Sequence, residues 1–201
     1  MQRALEHLKA SDPVLGRLID QVGPYLVELL EPCYETLVKA IVLQQLSGKV
    51  AEVIFQRLVA ACGNGRLTPE AVLRLRPARL RAIGLSKQKI QYIRELARLI
   101  VSGKLDLAAL TEASDEEVHA RLTAIKGIGP WTVHMFLIFA LGRLNVMPSG
   151  DLGIRAAVRK VYGLGEMPTP AEVNERARGW HPYCTVASWY LWRSLEAKAG
   201  L

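Results

Sequence analysis

The chain has 201 residues and a mass of 22.2 kDa; half of its residues are apolar and 22% are charged. This composition is enough to fill a hydrophobic core, and it excludes intrinsic disorder. The 26 Lys and Arg residues exceed the 19 Asp and Glu residues, which gives a formal net charge of +7. A basic domain is compatible with a polyanionic partner but does not require one.

The sequence contains no membrane or secretion signal. No apolar run approaches the roughly 20 residues needed to cross a bilayer, and the N-terminal residues lack the apolar stretch of a signal peptide. We therefore expect no membrane partner, and a location in the cytoplasm (nucleoid) of a bacterium or the nucleus of a eukaryote. The odd number and wide spacing of Cys33, Cys62 and Cys184 favour buried thiols over a disulfide or metal site.

Apolar residues recur with the helical period of 3.6 along the chain, which predicts an all-α protein. Helix starts are indicated by a capping residue followed by proline at Asp12-Pro13, Thr68-Pro69 and Thr169-Pro170. Capping boxes are predicted for Ser114 with Glu117 and for Thr169 with Glu172. The predicted helices cover residues 2–10, 13–21, 34–46, 48–62, 69–75, 77–83, 87–102, 115–124, 130–141, 151–162, 170–178 and 184–198.

Residues 115–141 form the first segment with a chemical implication. Two predicted helices are joined by Lys126-Gly127-Ile128-Gly129, and Pro130 opens the second helix. Both glycines can take positive φ, and Ile128 between them can fill apolar space under the turn. The N–H groups that open the second helix, together with Lys126, suit a phosphate. Taken alone, the Gly-Ile-Gly triplet is equally typical of an ordinary helix connection with a glycine cap.

In its wider context this segment resembles the helix-hairpin-helix of the DNA base-excision glycosylase superfamily. The segments IKGIGPWTVHMFLIFALGR, NVMPSGDLGIR and ETLVKAIVLQQLSGKVA are most similar to the AlkA-like branch, the 3-methyladenine DNA glycosylase II family. The resemblance covers most of residues 33–195. It implies two helical lobes with a cleft between them: a central lobe over 33–144, and a second lobe from 1–32 and 145–201. It also implies the compact form without the N-terminal β domain of longer bacterial members.

The resemblance also implies how the hairpin works. Lys126, Gly127, Ile128 and Gly129 would grip the phosphate backbone of damaged double-stranded DNA. A monovalent cation, Na⁺ or K⁺, would be held by the Gly127 and Gly129 carbonyls, and no other cofactor is expected. We expect a monomer. Further basic residues that either contact phosphates or solvate their helices are Lys49, Lys87, Lys89 and Arg155.

Asp151 is the predicted catalytic residue. It follows Pro148 and Gly150 in a loop and stands where a helix begins, so by itself it reads as an ordinary N-cap. The family resemblance implies that an aspartate downstream of the hairpin faces the extruded nucleotide. Such a carboxylate stabilises the cationic sugar of the transition state and orients a water. Gly150 stands where many relatives carry a second acidic residue.

Aromatic residues are expected to form the base pocket. Trp131 and Trp192 fall on positions whose rings flank the flipped base in the family, and Met135 lies one turn beyond Trp131. An indole face attracts a cationic alkylated purine more than a neutral base. Trp131 also occupies the position where backbone-cutting relatives carry a lysine, which implies a monofunctional enzyme. For Trp189, a place in the core remains an open alternative.

The loop around residue 45 is expected to supply the residue that fills the gap left by the flipped base. Gln44 and Gln45 interrupt an apolar stretch just before Ser47. By resemblance the inserting residue is Gln45, Leu46 or Ser47, with Gln45 favoured. Local capping of the helix end explains the same polar residues as well.

These observations predict a monofunctional DNA glycosylase of base excision repair. Its expected reaction is hydrolysis of the N-glycosidic bond of alkylated purines, such as 3-methyladenine and 7-methylguanine, to leave an abasic site. Two alternatives remain open at this point: a helix-hairpin-helix module that binds DNA without catalysis, and a glycosylase for oxidised or deaminated bases.

Overall fold

The computed structural model describes residues 1–46, 48–63 and 65–196. Within these ranges the chain forms α-helices and two short 3₁₀ turns, at Ala108–Thr111 and Arg178–Trp180, and contains no β-strand. The all-α prediction is therefore confirmed. The helices are α1 Gln2–Ser11, α2 Pro13–Val22, α3 Tyr34–Leu43, α4 Gly48–Ala61, α5 Pro69–Arg74, α6 Pro77–Ile83, α7 Lys87–Val101, α8 Asp115–Thr123, α9 Pro130–Phe139, α10 Leu152–Val161, α11 Pro170–Ala177 and α12 Cys184–Glu196.

Side-chain caps define several helix starts, as the sequence predicted. Thr169 and Glu172 form the complete capping box at the start of α11. At α8 only half of the predicted box is present, because Ser114 accepts from the Glu117 backbone N–H at 3.2 Å while the Glu117 carboxylate pairs with Arg121 one turn later. A nearby guanidinium thus replaces the N-cap backbone N–H as the partner of that carboxylate.

The third helix is shorter than predicted. It ends at Leu43 instead of residue 46, because Gln44 has an extended ψ of 128° and Gln45 takes a positive φ of 58°. The other helix bounds lie within two residues of the predicted ones where they fall in the described ranges. The unwound stretch after Leu43 is the loop that the sequence suggested as a DNA contact.

The chain packs as two compact units, Met1–Glu28 with Gly142–Leu201, and Leu29–Leu141. The junctions lie three to four residues before the bounds expected from the sequence. In the first unit, α2, α10 and α12 pack around a core that includes Leu8, Leu15, Trp180 and Tyr190, all fully buried. This unit carries Asp151 at the start of α10.

The second unit contains helices α3 to α9. Helix α3 packs against α4, α7 and α9, and α8 packs against α9 to form the predicted hairpin pair. The Tyr34 hydroxyl donates to the Ile93 carbonyl oxygen at 3.0 Å, a buried link from α3 to α7. The unit therefore holds the hairpin, the loop after α3 and the start of α7 in one packed body.

Within the described ranges, no helix is long and apolar enough to cross a bilayer. No group of three or more His, Cys, Asp or Glu residues there is arranged to hold a metal ion. Cys184 is buried, and Cys33 and Cys62 are partly buried free thiols.

Candidate functional site

Asp151 caps helix α10 and is held from two directions. Its Oδ1 accepts the backbone N–H of Ile154 at 2.8 Å and the indole N–H of Trp192 at 3.0 Å. The Asp151 N–H donates to the Pro148 carbonyl oxygen at 2.9 Å, which closes the preceding turn. The capping role considered for this residue is real, and it also fixes the carboxylate with two donors.

Gly153 keeps space for this pair in the first turn of α10. A Cβ at this position would lie 3.0 Å from Asp151 Oδ1 and 3.3 Å from two atoms of the Trp192 indole. Any larger residue therefore displaces the carboxylate or the ring. Sequence reasoning missed Gly153, because its role depends on a ring that comes from α12, about 40 residues later.

The three C-terminal tryptophans have different roles. Trp192 is half-buried and bonded to Asp151, whereas Trp180 is fully buried and donates its indole N–H to Asp12 at 3.0 Å. Trp189 packs edge-on against Tyr25, with ring centroids 5.0 Å apart. The core alternative therefore describes Trp189, and Trp192 is the one beside the carboxylate.

The hairpin turn depends on one glycine more than the other. Gly127 takes φ of +92°, and a Cβ there would fall 2.1 Å from the Tyr92 ring. Gly129 instead has φ of −97° and ψ of 175°, so it does not use the positive φ that glycine permits. Gly129 is extended because it is the N-cap of α9, and an N-cap residue has non-helical backbone angles. Ile128 is 3% exposed and fills the space under the turn, as predicted.

Gln44 ties the loop after α3 to the hairpin. Its amide Nε2 donates to the Gly127 carbonyl oxygen and to Thr132 Oγ1, both at 2.9 Å. Lys89 Nζ donates to the Val42 and Gln44 carbonyl oxygens, both at 2.7 Å. Burial lowers the pKa of Lys89. The two side chains brace the end of α3, where Gln45 is held at positive φ.

The predicted inserting residues lie on this braced loop. Gln45 and Leu46 are exposed, and Ser47 lies outside the described residues. A non-glycine residue at positive φ is a local strain that persists when its surroundings hold it, and such strain concentrates at functional sites. The geometry thus presents Gln45 and Leu46 to solvent from a fixed backbone.

A cavity of about 630 Å³ borders the hairpin within the second unit. Its walls come from residues 43–45 and 127–132, which include Trp131, and from Ser86, Gln88, Lys89 and Tyr92. Trp131 and Met135 are both half-buried and stand one turn apart on α9, and their role in a base pocket stays a prediction. Lys126, at the turn, is exposed.

The two glycine carbonyls expected to hold a cation each accept one N–H donor. The Gly127 oxygen accepts the Gln44 amide at 2.9 Å, and the Gly129 oxygen accepts the Val133 N–H at 3.1 Å. A carbonyl oxygen has two lone pairs, so each oxygen keeps a second acceptor position, and a Na⁺ or K⁺ ion at this turn stays a prediction.

Two cations that follow Asp151 in sequence, Arg155 and Lys160, have structural partners. Lys160 Nζ donates to the Ser194 carbonyl oxygen at 2.6 Å, and Arg155 Nε donates to the Pro168 carbonyl oxygen at 2.7 Å. Arg155 was one of the candidate phosphate contacts, and its Nε instead ties α10 to the segment before α11. Trp131 occupies the position for which the family resemblance implies an amine in backbone-cutting enzymes.

The chain is similar over residues 38–182 to the family described as HhH-GPD superfamily base excision DNA repair protein, and it belongs to that family. It is 39% identical to DNA-3-methyladenine glycosylase 1 of Schizosaccharomyces pombe, over 96% of this chain and 87% of that protein. It is 32% identical to the putative DNA-3-methyladenine glycosylase YfjP of Bacillus subtilis, over 98% of this chain and 70% of that protein.

Solved structures give the same family. The S. pombe 3-methyladenine DNA glycosylase Mag1, in complex with abasic DNA, matches with a TM-score of 0.91 and 38% identity, covering 99% of both chains. The 3-methyladenine DNA glycosylase of Archaeoglobus fulgidus matches with a TM-score of 0.83 and 31% identity, over all of this chain and 71% of that one.

Proposed function

We propose that this protein is a monofunctional DNA glycosylase of base excision repair. It hydrolyses the N-glycosidic bond of alkylated purines, such as 3-methyladenine and 7-methylguanine, in duplex DNA and leaves an abasic site. The observation that carries the proposal is the Asp151 carboxylate, fixed by the Ile154 N–H and the Trp192 indole N–H. That carboxylate lies in a chain 39% identical to a 3-methyladenine glycosylase.

Asp151 supplies the charge that the reaction needs. Departure of the base leaves positive charge on the sugar, and a carboxylate that is already oriented stabilises that charge without reorganising during the reaction. The same group orients a water and takes its proton as the water adds to C1′. The hydrogen bonds from Ile154 and Trp192 hold the carboxylate in place through its Oδ1.

The side chains proposed for base recognition are Trp131 and Met135 in the second unit and Trp192 in the first. An alkylated purine carries positive charge, so an indole face attracts it by about 0.5 to 2 kcal/mol, and a neutral base gains less. The same charge weakens the glycosidic bond, so modest catalysis is sufficient. Trp131 offers no amine to the sugar, so the enzyme forms no Schiff base and does not cut the backbone.

The second unit holds the DNA. Lys126, Gly127 and Gly129 contact a phosphate through the turn and the start of α9, and the buried Ile128 supports the turn from below. The braced loop inserts Gln45, or its neighbours Leu46 and Ser47, where the base has left the stack. Extrusion costs a few kcal/mol and is easiest for a lesion that pairs poorly. The partner is damaged double-stranded DNA, and the protein acts as a monomer.

Base release from methylated DNA tests this proposal. Duplex DNA carrying N-methylated purines is incubated with wild type and with Asp151→Asn, and free 3-methyladenine and 7-methylguanine are separated by chromatography. We expect release by wild type and its loss in the variant. If wild type binds duplex but frees no base, the protein is a binding module. If borohydride traps a covalent protein–DNA adduct, the monofunctional assignment fails.

A further inference from the structure

The positive charge of this protein is concentrated in one short segment. Residues 71–94 contain seven Lys and Arg residues and no Asp or Glu, which is a formal charge of +7. The whole chain carries 26 − 19 = +7, so the other 177 residues carry 19 basic and 19 acidic residues and sum to zero. The segment spans the end of α5, all of α6 and the first half of α7.

Two of the seven cations are structural. Lys89 donates to the Val42 and Gln44 carbonyl oxygens. Arg94 donates to three carbonyl oxygens, including that of Leu75 at 2.8 Å, just after the end of α5. Their charge is directed into the protein, and both are only partly exposed.

The other five cations are exposed to solvent: Arg74, Arg76, Arg79, Arg81 and Lys87. Among the described residues, none of them lies within ion-pairing distance of an acidic side chain, whereas Lys9, Lys39, Arg121, Arg178 and Arg193 all do. Exposed cations without acidic partners produce a positive surface potential that attracts polyanions.

The basic segment continues into the hairpin cavity. Helix α6 packs against α7, and Ser86, Gln88, Lys89 and Tyr92 of the start of α7 line the same cavity as residues 127–132 of the hairpin. The exposed cations of α6 and Lys87 therefore lie on elements next to the hairpin cavity, within one packed unit. Duplex DNA carries one phosphate charge per about 1.7 Å of helix axis. A duplex bound at the hairpin therefore has neighbouring phosphates that these cations can contact.

We propose that Arg76, Arg79, Arg81 and Lys87 form a second phosphate-contact surface that binds duplex DNA beside the hairpin, independently of sequence and of damage. This inference rests on the proposed function, since it takes DNA as the partner. The surface supplies affinity for undamaged duplex and so holds the enzyme on DNA while it searches. It makes no contribution to the chemistry at Asp151.

Binding to undamaged duplex tests this surface. The variant replaces Arg76, Arg79 and Arg81 with Gln; Arg74 is left in place because Glu70 lies one turn before it. The matched control replaces Arg3, Arg17 and Arg159 with Gln. These three arginines are also exposed, and their replacement also removes three positive charges. Anisotropy of a labelled 20-base-pair duplex gives Kd across a salt series, and circular dichroism and thermal unfolding check the fold of each variant.

We expect the α6 variant to bind at least about fivefold more weakly at 0.1 M salt, and the slope of log K against log salt to fall by about 2 to 3, since each lost phosphate contact removes about 0.9. The control keeps a slope close to that of wild type. Equal losses in both variants mean that net charge alone is responsible, and the proposal is wrong. Wild-type binding by a folded α6 variant also overturns it, and assigns the arginines to another polyanion or to solubility.

The two proposals fail separately in this design. The readout is binding to undamaged duplex, so it does not depend on base release. If only the α6 variant loses duplex binding and wild type frees no base, the proposed phosphate-contact surface is supported and the proposed glycosylase activity is contradicted. Base release by wild type, with no selective loss, supports the glycosylase and contradicts the surface.

Discussion

The indole Nε1 of Trp192 donates to Asp151 Oδ1 at 3.0 Å, across the 41 residues that separate them in sequence. The sequence suggested two separate roles for them, an aromatic wall for the base and a carboxylate for the sugar. The hydrogen bond joins the two roles, because the ring that would border the base also orients the group that stabilises the cationic sugar. A charge-assisted bond of this kind is about twice as strong as a neutral one.

Replacing Trp192 with Phe separates these roles. The variant keeps an aromatic face but loses the N–H donor, so we expect single-turnover base release to fall by about tenfold, the size of one lost hydrogen bond to a charged group. Binding to an abasic duplex should change by less than about twofold. The control is Trp189→Phe, which changes a ring packed against Tyr25. Equal rates in wild type and Trp192→Phe would show that the hydrogen bond is unimportant.

Gly153→Ala tests the space around the carboxylate. Alanine is favoured over glycine in a helix by about 1 kcal/mol, so the helix itself gains stability. The new Cβ, however, would lie 3.0 Å from Asp151 Oδ1. We expect base release to fall by about tenfold without loss of the fold, since the carboxylate moves.

The control for this change is Gly165→Ala, because a Cβ at Gly165 has no heavy atom within 4 Å. Single-turnover rates and thermal unfolding are measured for both variants. If Gly153→Ala retains the wild-type rate, the carboxylate does not need the position seen in the structure.

The two hairpin glycines should respond differently to alanine. Gly127→Ala meets positive φ and the Tyr92 ring, so we expect it to lower the free energy of unfolding by about 2 to 4 kcal/mol. Gly129→Ala has extended backbone and no heavy atom within 4 Å of the new Cβ, so it should fold like wild type.

Duplex binding then shows what approaches Gly129. If a phosphate comes close to this N-cap, the extra methyl group of Gly129→Ala weakens binding although the fold is intact. Urea unfolding and anisotropy distinguish the two effects. Unchanged duplex binding by Gly129→Ala would contradict the phosphate site at the turn.

Much of this architecture is predictable from local sequence signals. Helix starts are set by caps and prolines that act over three or four residues, and Thr169 with Glu172 behaves as the pattern predicts. Ile128 is buried because it is the apolar residue of the turn, and its side chain is removed from water when it packs beneath the two glycines. These features need no knowledge of distant parts of the chain.

The features that the sequence did not predict depend on distant partners. Helix α3 ends early because Gln44 reaches Gly127 and Thr132, more than 80 residues away. Gly153 and Trp192 meet only after α10 and α12 pack together. Only glycine fits at position 127, because the ring of Tyr92 packs against it. The sequence around the hairpin does not indicate this contact. Local sequence patterns indicate which residues are candidates for the site, and the packing of distant helices determines the contacts that each one makes.

The stability of the second unit, which contains the hairpin, should depend on pH through His134. Burial, and then the neighbouring His119, lower the pKa of His134 below its ordinary value of 6.5. In the unfolded chain the imidazole takes up a proton more readily than in the folded protein, so stability falls as the pH is lowered from 6.5 through the folded pKa. Above 6.5 this contribution is constant.

His134→Gln should remove this dependence. Urea unfolding at pH 5.0 and 7.5 is compared for wild type and variant, and the difference between the two pH values should be smaller in the variant. His119→Gln is a second test, because it removes only the smaller of the two causes and should shrink the difference less. An unchanged pH difference in His134→Gln would assign the acid sensitivity to other groups.

The most direct measurement compares two aspartates that both cap helices. Asp151→Asn and Asp12→Asn each remove one carboxylate charge at a helix start, and Asp12 is bonded to Tyr162 and Trp180 in the core of the first unit. Single-turnover release of 7-methylguanine from duplex DNA is measured for both, with binding to abasic duplex as the check on fold. We expect Asp151→Asn to bind DNA yet lose about 100-fold or more in rate, and Asp12→Asn to lose stability but keep its rate while folded. A wild-type rate in Asp151→Asn would contradict the assignment of this carboxylate to catalysis.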